Sequence, residues 1–238
     1  MQNRFFSAGL PVLGVLSALA VLGCASVDGS ADFDRMTAEV VKASFRDQGI
    51  ATVDRLVQDP ANAACSAADA AGKPMDARLA AEIEAANLKT VQWPADGRLV
   101  GDWKEGEKIA QNGRGMTWTD KAAGAGGAAG AANGGNCYNC HQIAPQEISF
   151  GTLGPSLYQY GRIRGITDPN SAEAKAIVEY TWGKIWNARA YNACSQMPRA
   201  GHAGILTEAQ VRDVVGLLVD PQSPVNRPPT AEGKASPR

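Results

Sequence analysis

The chain has 238 residues, 45% hydrophobic and 20% charged, which suits one sizeable soluble domain with extensions or two small ones. Its 23 basic and 24 acidic residues leave a formal net charge of −1, so it carries no electrostatic footprint for nucleic acid or for an anionic membrane surface. With 26 glycines and only 6% aromatics, the composition favours helices joined by loops over a large β-sandwich.

The N-terminus reads as a targeting segment. Arg4 supplies a charge, and "FFSAGLPVLGVLSALAVL" over residues 5–22 is apolar and uncharged. The competing reading, an uncleaved membrane anchor, is weakened by Gly9, Pro11 and Gly14, which interrupt a stretch barely long enough to span a bilayer. Residues 1–24 are therefore expected to be a signal peptide that sends the chain to the periplasm. The ending "VLGC" also resembles a lipobox, in which Cys24 would become a lipidated first residue and tether the chain to a membrane; ordinary signal cleavage uses the same small residues.

Residues 25–100 are expected to form a helical N-terminal extension, a collar packed on the main domain. Its first helix is expected over residues 32–53, capped by Asp32 or Asp34. A second, short one within "ATVDRLVQDPANAAC" is expected to stop near Pro60, and a third spans residues 75–88. "VQWPADGRLVG" reads as an extended connector.

At Asp102, with Glu105 three residues on, a capping-box spacing opens a helix that Gly113 is expected to end. The Ala/Gly stretch "DKAAGAGGAAGAANGG" buries too little surface to hold one conformation and reads as a mobile loop over 122–135. A helix follows over 171–186, then a loop. The last helix is capped by Thr207 with Gln210 three later, carries the apolar stripe Val211, Val214, Val215 and Leu218, and is closed by Pro221. Residues 227–238 are expected to be a disordered tail.

The chemistry sits in "GGNCYNCHQIAP", starting at Gly134. A C-x-x-C pair serves zinc sites, thiol redox enzymes and haem attachment. Zinc asks for four ligands, and this chain has no second C-x-x-C and only His202 as another histidine. A thioredoxin-like site expects a strand before the pair, where this chain has a Gly-rich loop. C-x-x-C-H is the c-type haem signature: Cys137 and Cys140 add across the two vinyl groups, and His141 then lies on the proximal side of the iron. One motif implies one covalent haem c and its iron. With Cys137 and Cys140 committed, and Cys24 removed or lipidated, Cys65 and Cys194 remain as an even pair in an oxidising compartment. They are expected to form a disulfide; the alternative is a buried thiol.

A low-spin electron-transfer haem needs a sixth ligand. The candidates are Met197, His202, Met116, Met75 or a cysteine. Met197 and His202 lie on the loop before the last helix, and Met197 is favoured because Pro198 stiffens its presentation. In "GPSL", the Pro155 carbonyl is a candidate acceptor for the second nitrogen of His141; the plainer reading is a tight turn. Trp182, Trp186 and Tyr191 are candidates for pocket walls or plain core. Arg162, Arg164 and Arg199 are candidates for haem propionates or solvated charges.

"GDWKEGEKIAQNGRGMTW", "GGNCYNCHQI", "GTLGPSLYQYGRIRG" and "YTWGKIWNARAYNACSQMPRAGHAGILTEAQVRDVVGLLVDPQSPVN" together resemble the SoxX family, the monohaem subunit of the SoxAX cytochrome of bacterial sulfur oxidation. The resemblance runs from about residue 53 to 226, and 180–220 is its most specific part. It implies a periplasmic heterodimer with SoxA, which holds the catalytic haem and couples thiosulfate to a cysteine of the carrier SoxYZ. The SoxX-like chain would take the electrons and pass them to a small cytochrome c. It implies His141 and Met197 as axial ligands, Cys137 and Cys140 as the haem attachment, and cysteines matching Cys65 and Cys194. The long Ala/Gly loop and a lipid on Cys24 depart from the family pattern.

The expected fold is therefore all-α: a class I-like cytochrome c fold over 101–226 behind the helical extension. No residue is placed as a nucleophile or general base, so no catalytic centre of its own is expected. The rivals are a free-standing cytochrome c shuttling electrons in a respiratory chain, a haem peroxidase or sensor with an open iron, and a structural lipoprotein with a vestigial motif.

Overall fold

The computed structural model describes residues 29–48, 51–114, 133–144, 147 and 150–228. The signal segment with Cys24, Met116, most of the Ala/Gly loop and most of the tail lie outside the described residues. The described chain is all-α: it has no strand, and only an isolated bridge between Gln48 and Ala51. No helix in it is long and apolar enough to cross a membrane. The chain divides after Phe45 into two compact units.

The first unit contributes α1, Gly29–Ser44. Arg35 bridges Asp32 at 2.7 Å and Glu39 at 2.9 Å along one face, while Phe33, Met36 and Val40 stand exposed on another. The helix expected to run to residue 53 stops at Ser44. Asp47 instead accepts the Val53 amide at 2.7 Å and folds the backbone back on itself, with Gln48 and Ala51 exchanging both backbone hydrogen bonds.

The second unit begins at Arg46 and includes the rest of the expected collar. A short 3-10 turn, Val53–Leu56, precedes α2, Pro60–Ala70. Pro60 thus opens a helix rather than stopping one. At the first helical position proline loses no bond, because that N–H has no intrahelical acceptor, and Asp59 caps the turn by accepting the Asn62 amide at 2.8 Å. α3, Ala77–Leu88, is capped by Asp76.

α4, Trp103–Ala110, is capped by Asp102, which accepts the Lys104 amide at 2.9 Å, but the expected capping box is not made: the Asp102 amide donates to Asp213 Oδ1, and Glu105 pairs with Lys108 at 2.6 Å. Its C-cap is Gln111 in right-handed geometry. Gly113 is not the helix end; it gives close approach to Asn136 Oδ1. α5, Lys175–Trp186, begins four residues later than periodicity suggested, since Ser171 Oγ accepts the Ala174 amide and holds the start as a turn. α6, Glu208–Val219, has the full capping box of Thr207 and Gln210.

α4 and α6 pack most intimately. Gly101 N donates to Arg212 O at 2.9 Å, and a Cβ on Gly106 would run into the Asp213 carbonyl. α5 crosses α6 in a core of Trp182, Val211, Val215, Leu217, Val219 and Val225, all at most 1% exposed. Buried Asn226 closes the unit: its Oδ1 accepts the Gly161 and Arg162 amides, and its Nδ2 donates to Leu218 O and Asp220 O. These contacts hold the turn at Gly161 against the end of α6, and so steady one side of the motif region.

Candidate functional site

The C-x-x-C-H motif lies on a 3-10 turn, Cys137–Asn139, fastened to the end of α4. Gly134 N, Gly135 N and Asn136 N donate to Arg114 O, Ile109 O and Asn112 O. Asn136 takes a left-handed conformation, φ 51°, which turns the chain into the motif and which asparagine tolerates better than most residues. The His141 amide donates to Cys137 O at 3.0 Å, so motif and histidine form one turn.

The segment 151–157 wraps that turn. Gly151 N donates to Tyr138 O at 2.8 Å, Gly154 N to Cys140 O at 2.8 Å and Leu157 N to Gln142 O at 2.7 Å. A Cβ on Gly154 would collide with the His141 ring, so only glycine lets the strap lie this close. The strap brings Pro155 O to 2.7 Å from His141 Nδ1. With the carbonyl as acceptor, Nδ1 carries the proton, and Nε2 keeps its lone pair free.

Cys137 and Cys140 are half-buried free thiols. Burial, with a smaller contribution from Cys140, pushes the Cys137 thiol up to about 12, so it stays protonated at neutral pH. A disulfide-exchange nucleophile needs the opposite shift. Nor do the three side chains converge as zinc ligands would: among the described residues, no group of three or more Cys, His, Asp or Glu could hold a metal ion.

Met197 is half-buried and packs, like Cys137, against the shared apolar core. Gly135 links the motif to the loop beyond Met197, lying between Cys137 Sγ and Leu206, whose amide donates to Ala200 O. His202 is exposed; partial desolvation, then the Arg199 charge, holds its imidazole below its ordinary pKa. Met75 sits beside the α3 cap, half-buried.

Trp182 and Trp186 are core, stacked at 5.7 Å, and Trp182 Nε1 donates to Gln92 O. Trp186 Nε1 is buried without a partner. Tyr191 lies edge-on to Tyr180 at 4.9 Å. Of the three arginines, Arg164 stacks on Tyr160 and Arg199 pairs with Asp59; Arg162 is exposed.

Cys65 and Cys194 form a disulfide, Cα–Cα 5.6 Å, joining α2 to the Met197 loop. Two contributors escaped the sequence reading. Glu147 Oε2 accepts the Ile143 and Ala144 amides and clamps the chain just after His141. Asp59 holds Arg189 and Arg199. Neither carries a local signal, because each acts on residues chosen by the fold.

The donor set fits a covalently held haem. Two unpaired thiols stand in C-x-x-C order, the adjoining imidazole has its Nδ1 committed and its Nε2 free, and a methionine lies on a loop packed to the same core.

No family model matches the chain. It is similar to a protein of Aquifex aeolicus (strain VF5) described as an uncharacterized lipoprotein, 36% identical over 138 residues. That match covers 58% of this chain and 59% of the relative, so the chain spans less than two thirds of the relative's length.

Proposed function

We propose that this chain is a periplasmic monohaem c-type cytochrome with a class I-like cytochrome c fold, and that it serves as a SoxX-like electron-transfer subunit. The observation that carries the reading is the 2.7 Å contact between His141 Nδ1 and Pro155 O, beside the two free thiols of the same motif. A structural histidine needs no such arrangement; a metal-binding one needs its second nitrogen held and its tautomer set.

Cys137 and Cys140 would hold the haem through thioethers, and His141 Nε2 and Met197 Sδ would ligate its iron. When bound, the haem supplies a reversible one-electron iron couple, which a thioether ligand shifts to higher potential. Pro155 O keeps the imidazole from turning, and the 151–157 strap holds that carbonyl in place through its backbone bonds to the motif. The partners follow from the resemblance of residues 53–226 to SoxX: SoxA in a heterodimer, SoxYZ in passing, and a small cytochrome c as electron acceptor. Export is supported by the segment before Cys24. A lipid on Cys24 is supported by the sequence "VLGC" and by the name of the Aquifex relative.

The test is an optical spectrum of the purified exported protein with a denaturing mass measurement. One haem that survives denaturation, and a weak far-red ferric band that Met197→Leu removes, are the expected results. A mass without haem sinks the cytochrome reading. A haem protein lacking that band, and binding carbon monoxide readily, has an open iron, and the sensor or peroxidase rival replaces it.

A further inference from the structure

Met197 is strung between two anchor points, and both belong to α2. Cys194, three residues before it, is bonded to Cys65 within α2. Arg199, two residues after it, donates through Nη2 to Asp59, the α2 cap, at 3.0 Å. The same carboxylate receives Arg189 Nη1 at 2.8 Å on Oδ1 and 2.7 Å on Oδ2, and Arg189 also donates to Asn62 Oδ1. The Arg189 side chain is 9% exposed, so this is a partly desolvated charge cluster.

The other ties act earlier in the segment. Asn187 Nδ2 donates to Asn87 Oδ1 and Thr90 Oγ1, and the Ala193 amide to Glu84 Oε1 at 3.0 Å. None of these lies beyond Cys194. Downstream of the disulfide, among the described residues, the polar tie from the Met197 loop to the N-terminal collar is the Arg199–Asp59 ion pair, with rigid Pro198 between arginine and methionine.

We propose that Asp59 is a positioning residue for Met197: through Arg199 it fixes the loop on which the thioether is offered as a ligand, so that the collar acts as a splint for the sixth coordination position. The proposal rests on the haem reading above. A loop already ordered loses less freedom when its methionine binds, which strengthens a weak ligand without touching it.

Asp59→Asn tests this cleanly, because asparagine caps a helix as well as aspartate but removes the charge the two arginines share. Arg199→Gln is the second variant; it leaves the Arg189 pair in place should the first fail to fold. Amide hydrogen exchange over residues 195–203 is expected to rise about tenfold in both, with the α6 amides unchanged. In the same samples the far-red band should fade at a temperature well below global unfolding, and the ferrous protein should bind carbon monoxide faster than wild type. Loss of the band only together with global unfolding makes Asp59 a stability residue and overturns the proposal. Unchanged exchange at 195–203 overturns it too. A wild-type protein without the band removes the methionine ligation and the proposal with it, and the wild-type spectrum tells that failure apart from the others.

Discussion

Gly154 illustrates how much of the site depends on single residues. The His141 ring occupies the space a side chain there would fill. Gly154→Ala is expected to push the strap off the imidazole and break the contact with Pro155 O, at a cost of about 1–3 kcal/mol in urea unfolding. On the proposed haem reading, the variant should still take up haem, because the thiols are untouched, but its ferric spectrum should lose low-spin character. An unchanged spectrum would mean the strap does not hold the imidazole. At this scale "GPSL" pointed to the Pro155 carbonyl, which does lie against His141 Nδ1. The sequence did not show that Gly154 is required by contact, that Asn136 supplies a left-handed entry, or that Glu147 clamps the exit. Those roles depend on which atoms come to lie opposite, and no residue type announces that.

At the scale of elements, Asp102 and Thr207 cap where local chemistry says they should, because capping satisfies orphan amides within one turn, and α3 and α5 end where expected, whereas the starts of α2 and α5 were misplaced. Pro60 was misread: a proline marks a boundary, but only its neighbours tell which side the helix lies on, and Asp59 is the N-cap that decides it. Gly106 shows tertiary packing outweighing propensity. Alanine would favour α4 by about 1 kcal/mol in isolation. Here its Cβ meets the Asp213 carbonyl and comes within 3.0 Å of Leu217 Cβ, backbone and core that cannot move aside. Gly106→Ala is therefore expected to destabilise the protein by about 2 kcal/mol or more, read as a lower urea midpoint with unchanged slope. A stabilised variant would show that α4 and α6 do not approach this closely.

At the scale of the whole molecule, the disulfide spans a sequence separation of 129 residues and joins α2 to the loop before α6. In the chain-entropy account, closing a loop of that size removes freedom from the unfolded chain worth about 4–5 kcal/mol. Replacing Cys65 and Cys194 together by serine is expected to lower unfolding stability by an amount of that order, and reducing agent should have the same effect on wild type and none on the double variant. A double variant as stable as wild type would mean that the noncovalent ties from Asp59, Glu84 and Asn187 already hold the segment.

The spacing of Cys137, Cys140 and His141, the caps of α4 and α6, and the parity that pairs Cys65 with Cys194 were all available in the linear chain, because each rests on short-range geometry or on compartment chemistry. The all-α character followed from composition and periodicity. The sequence predicts one collar over 25–100 packed on the main domain; the fold alone decided that it divides after Phe45, and that Asp59 reaches Arg189 across 130 positions. Aspartate and arginine are common at any surface, and nothing local distinguishes the pair that meets from the many that do not. Long-range partners are selected by how helices pack, and that is a property of the folded whole.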